Sequence, residues 1–245
     1  MMADGYQQFD MFAAQKKILA FDLETEEFSG FGDLPSVGIT CAAAVSDDGE
    51  SMVWYGGKDA GRYDPKMSQT EVVQMVDYLW EKTQAGYQIA TWNGLSFDFQ
   101  IVYGQSGRDA RVKELAMGHV DMMFHFFCMK GFAVSLEKTA QGMGIPGKPE
   151  GMDGSLAPGM WKAGQFADVL AYVAQDAKIT LDLAQQCALL KEMRWVSKRG
   201  IPNKTVLPAG WLTVEEALKL PEPDNSWMDD PWERTRFMRW MQPFG

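Results

Sequence analysis

The residues of this sequence that could do chemistry are acidic side chains placed where strands and helices are predicted to end. Asp22 and Glu24 close the apolar run ILAFDLET, with one residue between them. Because alternate side chains of a strand share one face, both carboxylates point the same way, about 7 Å apart along the chain. Such a pair is either solvated at the end of a strand or part of a cluster of oxygen ligands.

A third acidic residue belongs to the run ATWNGLSFDFQIV. A predicted strand ends there at Asn93 and Gly94, which are typical of a turn. Asp98 stands between two phenylalanines in the first turn of the next predicted helix. A carboxylate in that position also stabilises the positive end of a helix dipole, so Asp98 alone does not indicate a function.

A fourth acidic residue lies in the run YVAQDAKIT, inside the longest predicted helix. Tyr172 and Asp176 are four residues apart and therefore share one face of that helix. Apolar neighbours such as Val173 and Ala177 turn this face at least partly toward the core. An unpaired carboxylate there costs several kcal/mol, so a compensating group is expected.

Four carboxylates without obvious arginine or lysine partners are tolerated together when a cation neutralises them. Oxygen ligands without histidine or cysteine favour Mg²⁺ or Mn²⁺ over Zn²⁺. Two such ions about 4 Å apart are the usual device for in-line displacement at a phosphodiester. The sequence therefore predicts two divalent metal ions, Mg²⁺ or Mn²⁺, with the ligands Asp22, Glu24, Asp98 and Asp176.

Three motifs in this order resemble a known family. D-x-E-T, N-G-x-x-F-D and Y-x-x-x-D are similar to the motifs of the DEDD 3′ to 5′ exonucleases, in the subclass that carries a tyrosine. The subclass that carries a histidine would need it five residues before Asp176, where this chain has Ala171. The run WNGLSFDFQIV most resembles the exonuclease domain of family B DNA polymerases and its stand-alone bacterial and viral relatives. The resemblance covers about residues 16–193.

The resemblance implies a role for each motif residue. Asp22, Glu24 and Asp176 would hold the first metal ion, and Asp22 with Asp98 the second. Tyr172 would orient the attacking water, which makes it a fifth catalytic residue beside the carboxylates. Three further positions lie near the terminal nucleotide in the family and are predicted substrate contacts: Thr25, Asn93 and Phe97.

The elements that must position these residues follow from the apolar patterns. Three consecutive strands are predicted, at residues 16–23, SVGITCAAAVS and SMVWYGG. The last two are joined by a turn at Asp47, Asp48 and Gly49. A helix follows, with Ser68 as its N-cap and Glu71 three residues later. Further strands are predicted at YQIATW and near GHVDMMFHFF, and a long helix over 165 to about 193. This order predicts an α/β, ribonuclease H-like fold, a mixed five-stranded sheet flanked by helices.

The chain is divided into three parts by composition. Residues 1–15 form a polar lead, and residues 16–199 form the exonuclease domain. Residues 200–245, rich in proline and tryptophan, are predicted to be a C-terminal extension packed on that domain. The glycine-rich segment 144–155 is not a P-loop, and we interpret it as a mobile loop near the substrate groove.

The charge distribution leaves two interpretations open. A net charge of −10 argues against nonspecific coating of nucleic acid, which normally uses a basic face. The basic residues nevertheless cluster, either as a local positive patch or as a solvated helix face. They are Lys191, Arg194, Lys198, Arg199 and Lys204, and Arg108, Arg111 and Lys113.

Other features predict an ordinary intracellular environment. The three cysteines are far apart and are expected to be buried free thiols. The N-terminal run lacks the pattern of a secretory signal, and no apolar run reaches membrane-spanning length, so we expect a cytoplasmic protein without a membrane partner. His119 and His125 are interpreted as core or surface residues, and Asp121 as a helix cap or a support of the metal site.

The function predicted from the sequence is a metal-dependent 3′ to 5′ exonuclease that releases nucleoside 5′-monophosphates from single-stranded nucleic acid, with DNA preferred. An exoribonuclease of the same fold is one alternative. A non-catalytic module that binds nucleic acid or a replication partner is another, but such a module has no reason to keep four adjacent carboxylates. Because 245 residues leave no room for a polymerase domain, any replication or repair partner would act in trans.

Overall fold

A mixed five-stranded sheet lies at the centre of the computed structural model, which describes residues 16–28, 30–147 and 154–242. Its strands are β1 Lys17–Thr25, β2 Ile39–Ser46, β3 Ser51–Tyr55, β4 Tyr87–Thr91 and β5 Val120–Asp121. They are arranged in the order β3-β2-β1-β4-β5. β2 is antiparallel to both β1 and β3, whereas β4 is parallel to both β1 and β5. The predicted mixed sheet is therefore confirmed, while the predicted N-terminal lead, residues 1–15, lies outside the described residues.

Helices cover both faces of the sheet. They are α1 Gln69–Gln84, α2 Asp98–Ser106, α3 Asp109–Gly118, α4 Met122–Lys130, α5 Leu136–Met143, α6 Ala157–Lys162, α7 Phe166–Leu190 and α8 Val214–Ala217, and a 3-10 helix spans Arg234–Met241. α1, α2 and α3 pack against one face of β1, where Phe21 and Leu23 enter the main core. α7 packs against the other face of the sheet, on Cys41 and Ala43 of β2. Within the described chain, no helix is both long and apolar enough to cross a membrane.

Local sequence signals account for several element ends. α1 begins with a capping box, because Ser68 accepts a hydrogen bond from the Glu71 amide and the Glu71 side chain accepts one from the Ser68 amide. α4 begins at its N-cap Asp121, whose side chain accepts from the amide of Phe124. Both caps are those predicted from the sequence. The buried state of all three cysteines is confirmed as well.

The end of the long helix differs from the prediction. α7 stops at Leu190, because Lys191 adopts a left-handed conformation with φ of 54°. The chain then forms an antiparallel hairpin of β6 Glu192–Val196 and β7 Pro202–Val206. Met193 and Trp195 are buried while Arg194 between them is exposed, which is the alternation of a half-buried strand. The boundary predicted between residues 199 and 200 falls in the turn of this hairpin.

The C-terminal extension makes specific hydrogen bonds to the main domain. The Val214 amide donates to the carbonyl of His119 at 2.9 Å, and the Leu212 amide donates to Nδ1 of His125 at 3.3 Å. Both histidines are buried, and burial lowers the pKa of each to about 4. The neutral His125 ring therefore forms part of the contact between the extension and α4, whereas His119 contributes its backbone carbonyl.

Candidate active site

Three of the four predicted carboxylates lie together. Asp22 and Glu24 project from the C-terminal half of β1, and Asp176 projects from the middle of α7. One carboxylate oxygen from each of them lies within 4.8 Å of the others. Asp176 is buried, and the two β1 residues are half-buried. The cluster thus forms where the first strand meets the long helix, as the motif order predicts.

Small side chains in β2 let α7 approach the sheet at this point. Asp22 pairs across the strands with Ala43, and Glu24 pairs with Cys41. Cross-strand partners share a face, so these two small residues lie beside the acidic pair. Both also pack against α7 in one buried cluster. A larger residue at either position would push the helix, and Asp176 with it, away from β1.

Tyr172 lies one turn before Asp176 on the same helix face. Its phenol donates a hydrogen bond to Asp176. Burial is the main cause that raises the pKa of Tyr172 far above its usual range, and the charges of Asp176, Glu24 and Asp22 raise it further. The hydroxyl therefore stays protonated at neutral pH and acts as a hydrogen-bond donor.

Asp98 lies beside the cluster but is not one of the three carboxylates grouped within 4.8 Å. It is the first residue of α2, only 2% exposed, and it accepts a hydrogen bond from the backbone of Leu23 between the two β1 acids. Its Oδ1 atom has no hydrogen-bond partner among the described residues. Burial raises the pKa of Asp98, and the nearby charge of Asp121 raises it further.

An open cavity of about 490 Å³ adjoins the cluster. Asp22, Glu24, Tyr172 and Asp176 all line it. Two of the predicted substrate contacts, Thr25 and Phe97, also line this cavity, whereas Asn93 is not among its described lining residues. The Asn93 side chain instead accepts a hydrogen bond from the Ser96 hydroxyl at 2.6 Å.

Sequence reasoning missed several residues of the cavity wall. Phe28 lies opposite Phe97, with ring centroids 6.0 Å apart. Gly154 and Ser155 also line the cavity, and a Cβ atom on Gly154 would lie 3.3 Å from the Tyr172 hydroxyl. These two residues end the segment that we expected to be a mobile loop near the groove, but its residues 148–153 lie outside the described chain. Phe28 follows β1 after Glu26 and Glu27, and no periodic pattern in the sequence marks it as a cavity residue.

The larger basic cluster does not line this cavity among the described residues. Lys191 is fifteen positions after Asp176, which at 1.5 Å per helical residue is about 22 Å. Arg194 and Lys204 face each other across β6 and β7, and both form ion pairs with Glu192. Most of this cluster therefore lies on the surface of the β6–β7 hairpin, at the end of α7 far from the carboxylates. It does not form the helix face considered from the sequence.

The donor set fits a hard divalent cation. All three clustered groups offer carboxylate oxygens, which Mg²⁺ and Mn²⁺ prefer, and the cluster contains neither sulfur nor imidazole. The buried Oδ1 atom of Asp98 is a fourth oxygen close to the strand that carries two of them. The chemistry of the residues thus agrees with the predicted metal type.

The fold and the site define an α/β domain that gathers carboxylates at the centre of a mixed sheet. The family model RNase_H_2, which describes the RNase_H superfamily, matches residues 19–187. This chain belongs to the RNase_H superfamily. The five predicted catalytic residues all lie within the matched range. Family and fold are consistent with the DEDD exonuclease-like domain expected from the motifs.

Solved structures show the same fold, with 119 matching chains. A family B DNA polymerase from the hyperthermophilic archaeon Pyrobaculum calidifontis is 20% identical over 71% of this chain, with a TM-score of 0.52. Exonuclease I is 16% identical over 71% of this chain, with a TM-score of 0.44. This chain spans 24% of the polymerase and 41% of exonuclease I. Among curated proteins there is no match.

Proposed function

We propose that this protein is a metal-dependent 3′ to 5′ exonuclease that removes nucleoside 5′-monophosphates from single-stranded DNA. One observation carries the proposal: Asp22, Glu24 and Asp176 converge beside the Tyr172 hydroxyl at an open cavity. A group of acids so close together is costly unless cations bind it. Membership of the RNase_H superfamily supports a nucleic acid as the substrate.

The carboxylates would hold two divalent metal ions. One ion would be held by Asp22, Glu24 and Asp176, and the other by Asp98 together with Asp22. When bound, such ions activate a water nucleophile and stabilise the negative charge that develops during in-line displacement at phosphorus. Asp98 suits this role because burial leaves its carboxylate poorly solvated, so a nearby cation would favour its charged form.

The Tyr172 side chain would position the attacking water. Its hydroxyl stays protonated, since burial and three acidic neighbours raise its pKa, so it is suited to orient a water and not to remove a proton from it. The hydrogen bond to Asp176 fixes the direction of the phenol. Gly154 allows the chain to pass close to this hydroxyl without covering it with a side chain.

The aromatic wall of the cavity would hold the terminal base. Phe28 and Phe97 form a tilted pair with centroids 6.0 Å apart, and both line the cavity. Stacking on aromatic rings is favourable for every base, so this wall suits a nuclease without sequence preference. Thr25 is buried and its hydroxyl donates to the carbonyl of Glu26 at 3.0 Å, so its role would be to shape the end of β1.

Digestion of end-labelled oligonucleotides tests the proposal. Single-stranded DNA and RNA of one sequence, labelled at either the 3′ or the 5′ end, are incubated with the protein and Mg²⁺ or Mn²⁺. We expect 3′-labelled DNA to release a labelled mononucleotide at the first turnover, and 5′-labelled DNA to give a ladder of shortened strands. Faster loss of RNA would reassign the protein as an exoribonuclease. Internal cuts, or label release from the 5′ end first, would contradict the proposed direction.

A further inference from the structure

The loop between β4 and α2, residues 92–97, delivers both Phe97 and Asp98 to the candidate site. Its path includes Asn93 with φ of 69°, a left-handed conformation that few residues other than glycine adopt. The Ser96 hydroxyl donates to Oδ1 of Asn93, and the Gly94 amide donates to the Thr91 hydroxyl at 3.2 Å. These bonds join the loop to itself and to the last residue of β4, so they shape the turn but do not hold Leu95.

One outside support comes from Asp121, the residue that caps α4. Its Oδ1 accepts from the Asn93 amide at 3.0 Å, and its Oδ2 accepts from the Leu95 amide at 2.9 Å. Oδ1 also accepts from the amide of Phe124 at 3.0 Å. Asp121 is 1% exposed, so water does not compete for these bonds. This carboxylate therefore ties the loop to the start of α4.

The second support comes from the C-terminal extension. The indole Nε1–H of Trp240 donates to the carbonyl of Leu95 at 2.8 Å, across 145 residues of sequence. Leu95 is fully buried and Trp240 is 4% exposed. Leu95 is thus held on both sides of its backbone, through its amide by Asp121 and through its carbonyl by Trp240.

The segment that carries Trp240 is anchored to α4. Arg234 precedes a kink at Met238 in the same C-terminal segment, and its guanidinium donates to the carbonyl of Cys128 at 3.0 Å and to that of Leu220 at 2.6 Å. Phe237 packs on Phe127 with ring centroids 4.6 Å apart. Since Asp121 is the N-cap of α4, both supports of Leu95 belong to one packed body.

We propose that Trp240 is a positioning residue of the candidate active site, which with Asp121 clamps Leu95 and so fixes Phe97 and Asp98. The inference rests on the proposed nuclease function and extends it to the C-terminal extension. α2 begins three residues after Leu95, so a shift of Leu95 moves Asp98 against the Leu23 backbone. A misplacement of about 1 Å in a catalytic group can cost about 100-fold in rate.

Trp240→Phe tests the clamp, because it removes the indole donor and keeps an aromatic ring. Trp211→Phe is the matched control: its Nε1–H donates to the carbonyl of Ala184 at 3.2 Å, in the C-terminal half of α7. Steady-state cleavage of labelled DNA and amide hydrogen exchange of the peptide containing residues 92–98 are measured for both variants. Asp121→Asn, which leaves one acceptor oxygen, serves as a second test of the same loop.

We expect Trp240→Phe to lower kcat by about 10- to 100-fold, with KM changed by less than about threefold. Exchange of the 92–98 peptide should accelerate in Trp240→Phe and in Asp121→Asn, and stay as in the wild type in Trp211→Phe. Wild-type turnover in Trp240→Phe, or an equal loss of turnover in Trp211→Phe, would overturn the proposal. If the wild-type protein cleaves no strand, the proposed function fails, and the exchange comparison alone decides whether the clamp exists.

Discussion

At the scale of single residues, the sequence predicts the acidic cluster because its members are spaced two residues apart on a strand and four residues apart on a helix. Asp22 and Glu24 share a strand face, and Tyr172 and Asp176 share a helix face. The structure brings the two pairs together. Phe28 and Ser155 could not be predicted as cavity residues, since loop paths place them there and no periodic pattern describes such a path.

The hydroxyl of Tyr172 is predicted to affect rate and not metal affinity. Tyr172→Phe removes the hydroxyl that orients the water but leaves all four carboxylates in place. Turnover should fall by about 100- to 1,000-fold, less than on loss of a carboxylate. Mn²⁺ binding, measured by calorimetry, should match the wild type. Loss of Mn²⁺ binding in this variant would show that the phenol holds Asp176 in place and has no role with the water.

Asp98 is predicted to destabilise the metal-free protein. Its carboxylate is buried and one oxygen has no partner among the described residues. Asp98→Asn keeps an oxygen to accept the hydrogen bond from Leu23 but removes the buried charge, so cleavage should be lost while thermal stability without metal is equal or higher. Thermal melting in chelator measures this. A clear drop in melting temperature would show that the carboxylate is structural.

At the scale of elements, hydrophobic periodicity located the central strands and the helices α1 and α7. Ser68 and Glu71 fixed the start of α1 because a capping box is a local signal. The end of α7 was predicted too far along the chain. The helix ends because Lys191 adopts a left-handed conformation, which a glycine at this position would have indicated but a lysine does not. The β6–β7 hairpin was missed because its alternation spans only five residues in each strand.

The capping box of α1 is predicted to contribute to stability alone. Ser68→Ala removes the acceptor of the Glu71 amide. Neither Ser68 nor Glu71 is among the described residues that line the cavity at the acidic cluster. The free energy of unfolding should fall by about 1 kcal/mol, and DNA cleavage should be unchanged. Urea unfolding and a turnover assay on one preparation measure both. Reduced turnover at full folding would contradict this separation.

At the scale of the whole molecule, the C-terminal extension and the main domain are joined through buried groups, which include the His125 ring and the backbone carbonyl of His119. Composition separated the extension from the domain, but it could not show that Trp240 reaches Leu95, because a contact across 145 residues leaves no local pattern. Neutral, buried histidines also make the stability of the fold depend on pH.

His125 is predicted to weaken the fold in acid. Burial lowers its pKa from 6.5 to about 4, so between these values the unfolded chain binds a proton that the folded protein does not. Its contribution to stability is therefore complete above pH 6.5 and is lost as the pH falls to about 4. Glutamine keeps an acceptor for the Leu212 amide and does not titrate.

Compared with His125→Gln, the wild type should lose up to about 3 kcal/mol of unfolding free energy between about pH 7 and about pH 4. Urea unfolding of both proteins at the two pH values measures the difference, and the contribution of His119 cancels because both proteins keep it. The same difference at both pH values would contradict the assigned titration.

Cleavage by two asparagine variants of α7 tests the central claim most directly. Asp176→Asn removes one carboxylate of the cluster, and Asp182→Asn makes the same change in a residue that pairs with Lys178 on the same helix. Release of mononucleotide from 3′-labelled single-stranded DNA with Mn²⁺ is measured for both, after circular dichroism has shown that both are folded. We predict a loss of about 1,000-fold or more in Asp176→Asn and near wild-type release in Asp182→Asn. Wild-type release by a folded Asp176→Asn variant would contradict a nuclease site at this cluster.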